Sequence, residues 1–138
     1  MVVTTYNAND CSVIVGGGGG VSKTYITGLG EDMISFEKEE AYFEPVVGAQ
    51  GDVVKSEINN TIHTLTLTIQ PTSPQKKFLL NLLGSSDTFP IWVINKALGE
   101  RFGGTMASIQ EMPEIARGAE AEDMEFTFCV FDGIVETI

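Results

Sequence analysis

Gly16 to Thr24 reads GGGGGVSKT, five glycines ahead of a lysine and a threonine and behind a β-branched run. Those residue types could build a loop whose backbone N–H groups cradle phosphates. The spacing argues against it: a phosphate loop places glycine directly before its lysine, whereas Val21 and Ser22 intervene here and no helical pattern follows. The segment is read as a flexible Gly-rich loop over residues 16–23.

The other chemistry-bearing residues are sparse. His63 is the only histidine, so a general base or metal ligand there has no Cys or His beside it, and it is read as an ordinary strand position. Cys11 and Cys129 stand near opposite ends of the chain without the CxxC or Cys/His spacing of a metal site, and are expected as reduced core residues. Two acidic runs, Glu37, Glu39, Glu40, Glu44 and Glu120, Glu122, Asp123, Glu125, contain carboxylates that could form an acid–base pair or hold a divalent cation. Neither carries the glycine and regular oxygen spacing of a calcium loop, so both are read as solvated faces. No catalytic, cofactor-binding or metal-ligating residue is assigned and no cofactor is expected. An enzyme is the least supported class, because no nucleophile is paired with a base.

Composition sets the frame for these residues. The 138 residues suit one compact domain, 1–138, and 43% hydrophobic with 20% charged residues is a globular balance. Eight Lys+Arg against 19 Asp+Glu give a formal charge of −11. Such a surface repels phosphate backbones and lacks a basic footprint, which excludes a nucleic-acid grip of the usual kind but not passive contact. No basic segment precedes an apolar run and no stretch is long enough to span a bilayer, so a soluble product made in the cytoplasm, with no membrane partner, is expected.

The elements follow from alternation. Cys11 to Val15 (CSVIV) is a short strand; Ile34 and Phe36 alternate with Ser35 and Glu37 in a second. Val47 to Asn60 has two glycines, two adjacent asparagines and no sustained period, and is read as a long, partly extended loop. Thr61 to Gln70 is the clearest strand, with Leu65, Leu67 and Ile69 against Thr64, Thr66 and Thr68. Ser73-Pro74 reads as a helix start, and Phe78, Leu79, Leu82 and Leu83 as one apolar stripe of about three turns ending at Gly84. Phe89–Asn95, Gly104–Glu111 and Met124–Phe131 complete six or seven strands. Strands without regular strand–helix alternation predict a mainly β chain, an antiparallel β-sandwich or barrel with one flanking α-helix.

GLGEDMISFEKEEAYFEPVVGAQGDVVKSEINN, Gly28 to Asn60, followed by TLTLTIQPTSPQ, Thr64 to Gln75, resembles a family of phage structural proteins similar to the tail tube subunits of myoviruses, the contractile-tailed phages. YNANDCSVIV, Tyr6 to Val15, fits its opening strand and FPIWVINK, Phe89 to Lys96, a later one, so the resemblance covers nearly the whole chain. The five-glycine run is the local departure from it. The resemblance implies homohexameric rings stacked into a hollow tube, with part of each sheet joining a continuous barrel around a lumen through which DNA passes without specific binding. It implies the virion tail tube as location, made in the host bacterial cytoplasm, with tail sheath, baseplate and tape measure proteins as partners. A tail completion or neck protein, or the tube of a DNA-free contractile injection particle, fits the same resemblance. A small acidic binding module is the distant alternative.

Two surfaces can be assigned on that basis. The faces opposite the apolar alternation, Ser35, Glu37 and Glu39 on one strand and Thr64, Thr66 and Thr68 on the other, are expected to face the lumen. The acidic charge there would repel DNA and let it slide, and six copies would carry 6 × −11, a formal −66 per ring. Residues 47–60 make little sense as a long monomeric loop. Gln50, Asp52, Val53, Val54, Lys55 and Glu57 are therefore expected to reach a neighbouring subunit or ring.

Overall fold

The computed structural model describes all residues, Met1–Ile138. Ten strands and one short helix follow a 3₁₀ turn at Ala8–Asp10: β1 Cys11–Val15, β2 Thr24–Ile26, β3 Leu29–Lys38, β4 Phe43–Val47, β5 Val53–Glu57, β6 His63–Ile69, α1 Lys76–Asn81, β7 Phe89–Asn95, β8 Glu100–Glu111, β9 Met124–Val130 and β10 Ile134–Thr137. The chain is mainly β and every ladder is antiparallel.

One eight-stranded sheet runs β2-β1-β7-β8-β9-β6-β3, with β10 added to β8. It folds over on itself through β8. The first half of that strand pairs with β7 and β10 (Gly103 with Trp92 and Ile134), and the second half pairs with β9 (Ile109 with Phe128). Gly103 stands at the bend with φ +139, where a Cβ would run into the Ile91 carbonyl. Two layers result, β3-β6-β9-β8 and β2-β1-β7-β8-β10, and aromatic pairs bridge them: Phe36 to Phe102 at 5.2 Å and Phe89 to Phe128 edge-on at 6.1 Å. Between the layers lie Val13, Val15, Leu65, Leu67, Ile69, Ile91, Val93, Phe126 and Phe128, all buried.

The alternation of β6 and β9 is imposed by this core. Leu65, Leu67 and Ile69 oppose Phe128, Phe126 and Met124, so one complete face of each strand is removed from water. The helix differs from its expected form. Ser73 donates its hydroxyl to the Thr27 carbonyl at 2.6 Å and accepts the Gln75 N–H at 3.4 Å, but the helix starts two residues later, at the N-cap Gln75, which makes no side-chain cap bond. Only six residues are helical; Leu82 and Leu83 continue with N–H bonds to carbonyls three residues back. Leu79 is the one helical side chain fully inside the core.

The Gly-rich segment is not a loose loop. Gly16 donates to the Pro90 carbonyl at 2.8 Å, Gly17 to Val21 at 2.9 Å, and Val21 is buried. The turn is wound this tightly because glycine accepts positive φ, as Gly16, Gly17, Gly19 and Gly20 all do. Residues 47–60 are likewise not an irregular loop. Val53–Glu57 is a strand that pairs with β4 in a separate two-stranded ribbon, Val46 opposite Val54 and Pro45 opposite Lys55. Its tip is closed by Gly48 N–H to Asp52 and Gly51 N–H to Gly48.

Candidate assembly surfaces

Direct opposition in antiparallel ladders places side chains on a common face. Across the first layer, Ser35, Thr66, Thr127 and Glu111 form one row and Glu37, Thr64, Cys129 and Ser108 the next. Sequence reading found the β3 and β6 members of this face. It missed Thr127, Cys129, Ser108 and Glu111, although the alternation of β9 already carried half the signal; the register that aligns it with Thr64 and Thr66 is tertiary information.

Glu39 lies just past the end of β3, its N–H bonded to the Ile62 carbonyl at 3.0 Å and its carboxylate accepting from Asn60 at 3.4 Å. Burial pushes the Cys129 thiol up, and the negative charge of Glu39 adds to that, which puts Glu39 near the same polar face. Cys129 is therefore a half-exposed residue of that face and not a core residue. Cys11 is also half-exposed, packed against the core margin, and both thiols are free.

Thr68 departs from the expected exposure. It opposes Glu125 on the polar side, yet it is 4% exposed. Between Leu29 and Ile34, β3 carries four residues against the single Thr68 of β6, a bulge that lays Gly30 against the Thr68 methyl group. Met33 takes φ +48 there, and Glu31 and Asp32 are pushed into solvent. Beside the bulge, Asp32, Glu111, Glu122, Asp123 and Glu125 line a polar cleft of about 390 Å³.

His63 opens β6, buried, with its ring stacked on Phe36 at 4.7 Å and Nδ1 at 2.8 Å from the Thr61 carbonyl. Both contacts are structural.

The β4–β5 ribbon brings together the residues expected to reach a neighbour. Gln50 and Asp52 lie in its turn; Val53, Val54, Lys55 and Glu57 lie on β5. All ten strand residues are exposed, including the Val46–Val54 pair on one side and the Val47–Val53 pair on the other. Lys55 stands over the Phe43 ring at 4.7 Å. A lone two-stranded ribbon with apolar side chains wet on both faces is marginal in water and gains most from a further surface.

The sequence matches the model of a family described as bacteriophage PhiTE tail tube protein over residues 3–132. None of the curated proteins matches it. Among solved structures, the whole chain aligns with 95% of the tube terminating cap of the anti-feeding prophage, at TM-score 0.63 and 12% identity. It aligns over 99% of its length with all of the sheath/tube terminator of an extracellular contractile injection system, PVC, in the extended state, at 0.58 and 15%. A chain of the sheath-tube complex of that system matches at 0.57 and 16%, covering 97% of this chain and 93% of the other. At these identities the likeness is one of fold.

Proposed function

The chain belongs to the bacteriophage PhiTE tail tube protein family, a component of a virion or related particle, and on that premise we propose that it is the repeating structural subunit of the inner tube of a contractile tail, without enzymatic activity. The observation that carries this reading is the four-stranded layer β3-β6-β9-β8, apolar inside, polar outside, with two unpaired edges. β3 pairs only with β6, and beyond Ala107 β8 has β9 on one side and no ladder on the other. Four antiparallel strands leave the two edges running in opposite directions. The β3 edge of one copy therefore meets the β8 edge of the next as an antiparallel pair, and a ring of copies closes into a barrel with no free edge.

In such a ring the polar face with Ser35, Glu37, Glu39, Thr64 and Thr66 lines the lumen; Thr68 is covered in the subunit itself except where it meets the acidic cleft. Hydroxyls and carboxylates offer DNA phosphates no cation to hold, which favours passage over binding. The core-filled second layer then forms the outer wall, where a sheath would sit. Six copies per ring rests on the resemblance alone.

Negative-stain electron microscopy of the purified protein at moderate salt tests the proposal. Uniform hollow tubes support it. Rings that never stack move the chain to a terminating or neck position, and monomers at every salt and protein concentration overturn assembly altogether.

A further inference from the structure

The two ends of the polar layer differ in kind. At one end, where Lys38, His63, Val130 and Ala107 fall in register, the β4–β5 ribbon leaves the domain. At the other lies the acidic cleft of Asp32, Glu111, Glu122, Asp123 and Glu125. The only salt bridge in the chain joins Arg101 to Glu136, so none of these carboxylates is ion-paired; Arg117, in the adjoining segment, spends its guanidinium on the Ala116 carbonyl and the Met124 sulfur. Thr68 also lines the cleft, and no group of the chain hydrogen-bonds its hydroxyl. No side-chain oxygen is both sealed from solvent and unpartnered, and the Thr68 methyl group is turned to Gly30, which leaves the hydroxyl as the atom open to the cleft. A cation is the ligand these groups ask for. No three acidic groups converge as metal ligands do, which suits an ammonium group on a long stem over a bare divalent ion.

Lys55 is the only basic residue between Phe43 and Glu57 and forms no salt bridge in its own chain. Around it the ribbon exposes Val46, Val47, Val53 and Val54, and the segment beside the cleft exposes Met112 and Ile115. The ribbon also carries Glu44 on its other face, Asp52 in its turn and Glu57 at its base, so the match lies in the Lys55 face itself, where Lys55 stands among Pro45, Val47 and Val53. We infer that the acidic cleft of one copy receives the β4–β5 ribbon of a second copy stacked on it, with the Lys55 ammonium among the carboxylates and at the Thr68 hydroxyl. This contact is heterologous and repeats without closing, as a growing tube requires. It rests on the tube reading above.

The test compares wild type, Lys55→Glu, Glu122→Lys and the double variant by microscopy and sedimentation, with circular dichroism as the check on folding. Both substitutions are at exposed positions. Each single variant is expected to raise the protein concentration needed for tubes by about tenfold or more while rings persist, and the charge-swapped double variant to recover most of the loss. Wild-type tubes accompanied by equally ready Lys55→Glu tubes overturn the contact and leave the tube reading standing. Wild-type tubes that dissolve in EDTA and return with magnesium also overturn it, because the cleft then serves a metal ion. Absence of any wild-type assembly removes the tube reading and this inference with it.

Discussion

The Asp132 carboxylate accepts the backbone N–H of Met106 at 2.9 Å, tying the turn between β9 and β10 to the stretch where β8 passes from one layer to the other. It also accepts the Thr105 N–H at 3.0 Å and the Thr105 hydroxyl. Burial by itself would raise this carboxyl, but the hydrogen bonds from Thr105 and Met106 outweigh it and hold the group below its ordinary 3.8. A depressed folded value means that folding favours the ionised form. That stability is fully present above the unfolded pKa and is lost as pH falls through the folded one. Asp132→Ala should lower the unfolding free energy at pH 7 by on the order of 1 kcal/mol, at the low end for charge-assisted bonds because water reaches the site. In melts at successively lower pH the gap to wild type should narrow below 3.8; a gap independent of pH would show that the carboxylate is not what holds the turn.

The Gly-rich turn makes a sharper prediction about two neighbours. Gly19 and Gly20 both have positive φ, but a Cβ on Gly19 collides with the Thr88 carbonyl while one on Gly20 meets nothing within 4 Å. Gly20→Ala should cost about 1 kcal/mol, the conformational penalty alone. Gly19→Ala should cost clearly more in urea denaturation, because the backbone of the turn must move away from β7. Equal costs would mean that the turn is the loose loop its composition suggests.

That contrast shows where the sequence was legible. Thr64 to Ile69 could be read because core on one side and solvent on the other write themselves into alternate residues. The β4–β5 ribbon could not, since both of its faces are wet and no core imposes a period on Val53, Val54 and Lys55. Local sequence places a strand only over Gly104–Glu111, whereas Gly103-Gly104 is a bend inside a twelve-residue strand that starts at Glu100. The apolar stripe predicts about three turns of helix, but only Leu79 is fully inside the core and Leu82 and Leu83 close as tighter turns, an outcome of packing that no local pattern reports. For the polar face, residue type found Glu37 and Thr66, but only register added Thr127 and Ser108, and only the β3 bulge removed Thr68.

The lumen assignment predicts how tubes treat DNA. Glu37 and Glu39 are exposed and stand clear of the core, so Glu37→Lys with Glu39→Lys should leave folding and tube formation intact. Reversing two charges per copy places a ring of ammonium groups where carboxylates stood. Tubes of the double variant should retain short duplex DNA in co-sedimentation at low salt and release it as salt rises, while wild-type tubes retain none. Inverted tubes that bind no more DNA than wild type would put these residues outside the lumen.

The ribbon can be removed without touching the sandwich. Ile58 donates its N–H to the Tyr42 carbonyl at 2.9 Å, so the two chain ends left by excising Phe43–Glu57 already lie side by side and a pair of glycines can join them. Every excised residue is exposed, and the core loses no contact partner. The shortened chain should therefore melt within a few degrees of the full one, because what it loses is a ribbon too small to be stable by itself. Its assembly should fail: rings, if the β3 and β8 edges still meet, but no tubes. Deletion of Gln50–Glu57 alone should have the same effect with a larger loss of stability, since it strands β4 without its partner. Tubes of normal length from the excised chain would remove the ribbon from ring stacking and leave edge pairing as the sole basis of assembly.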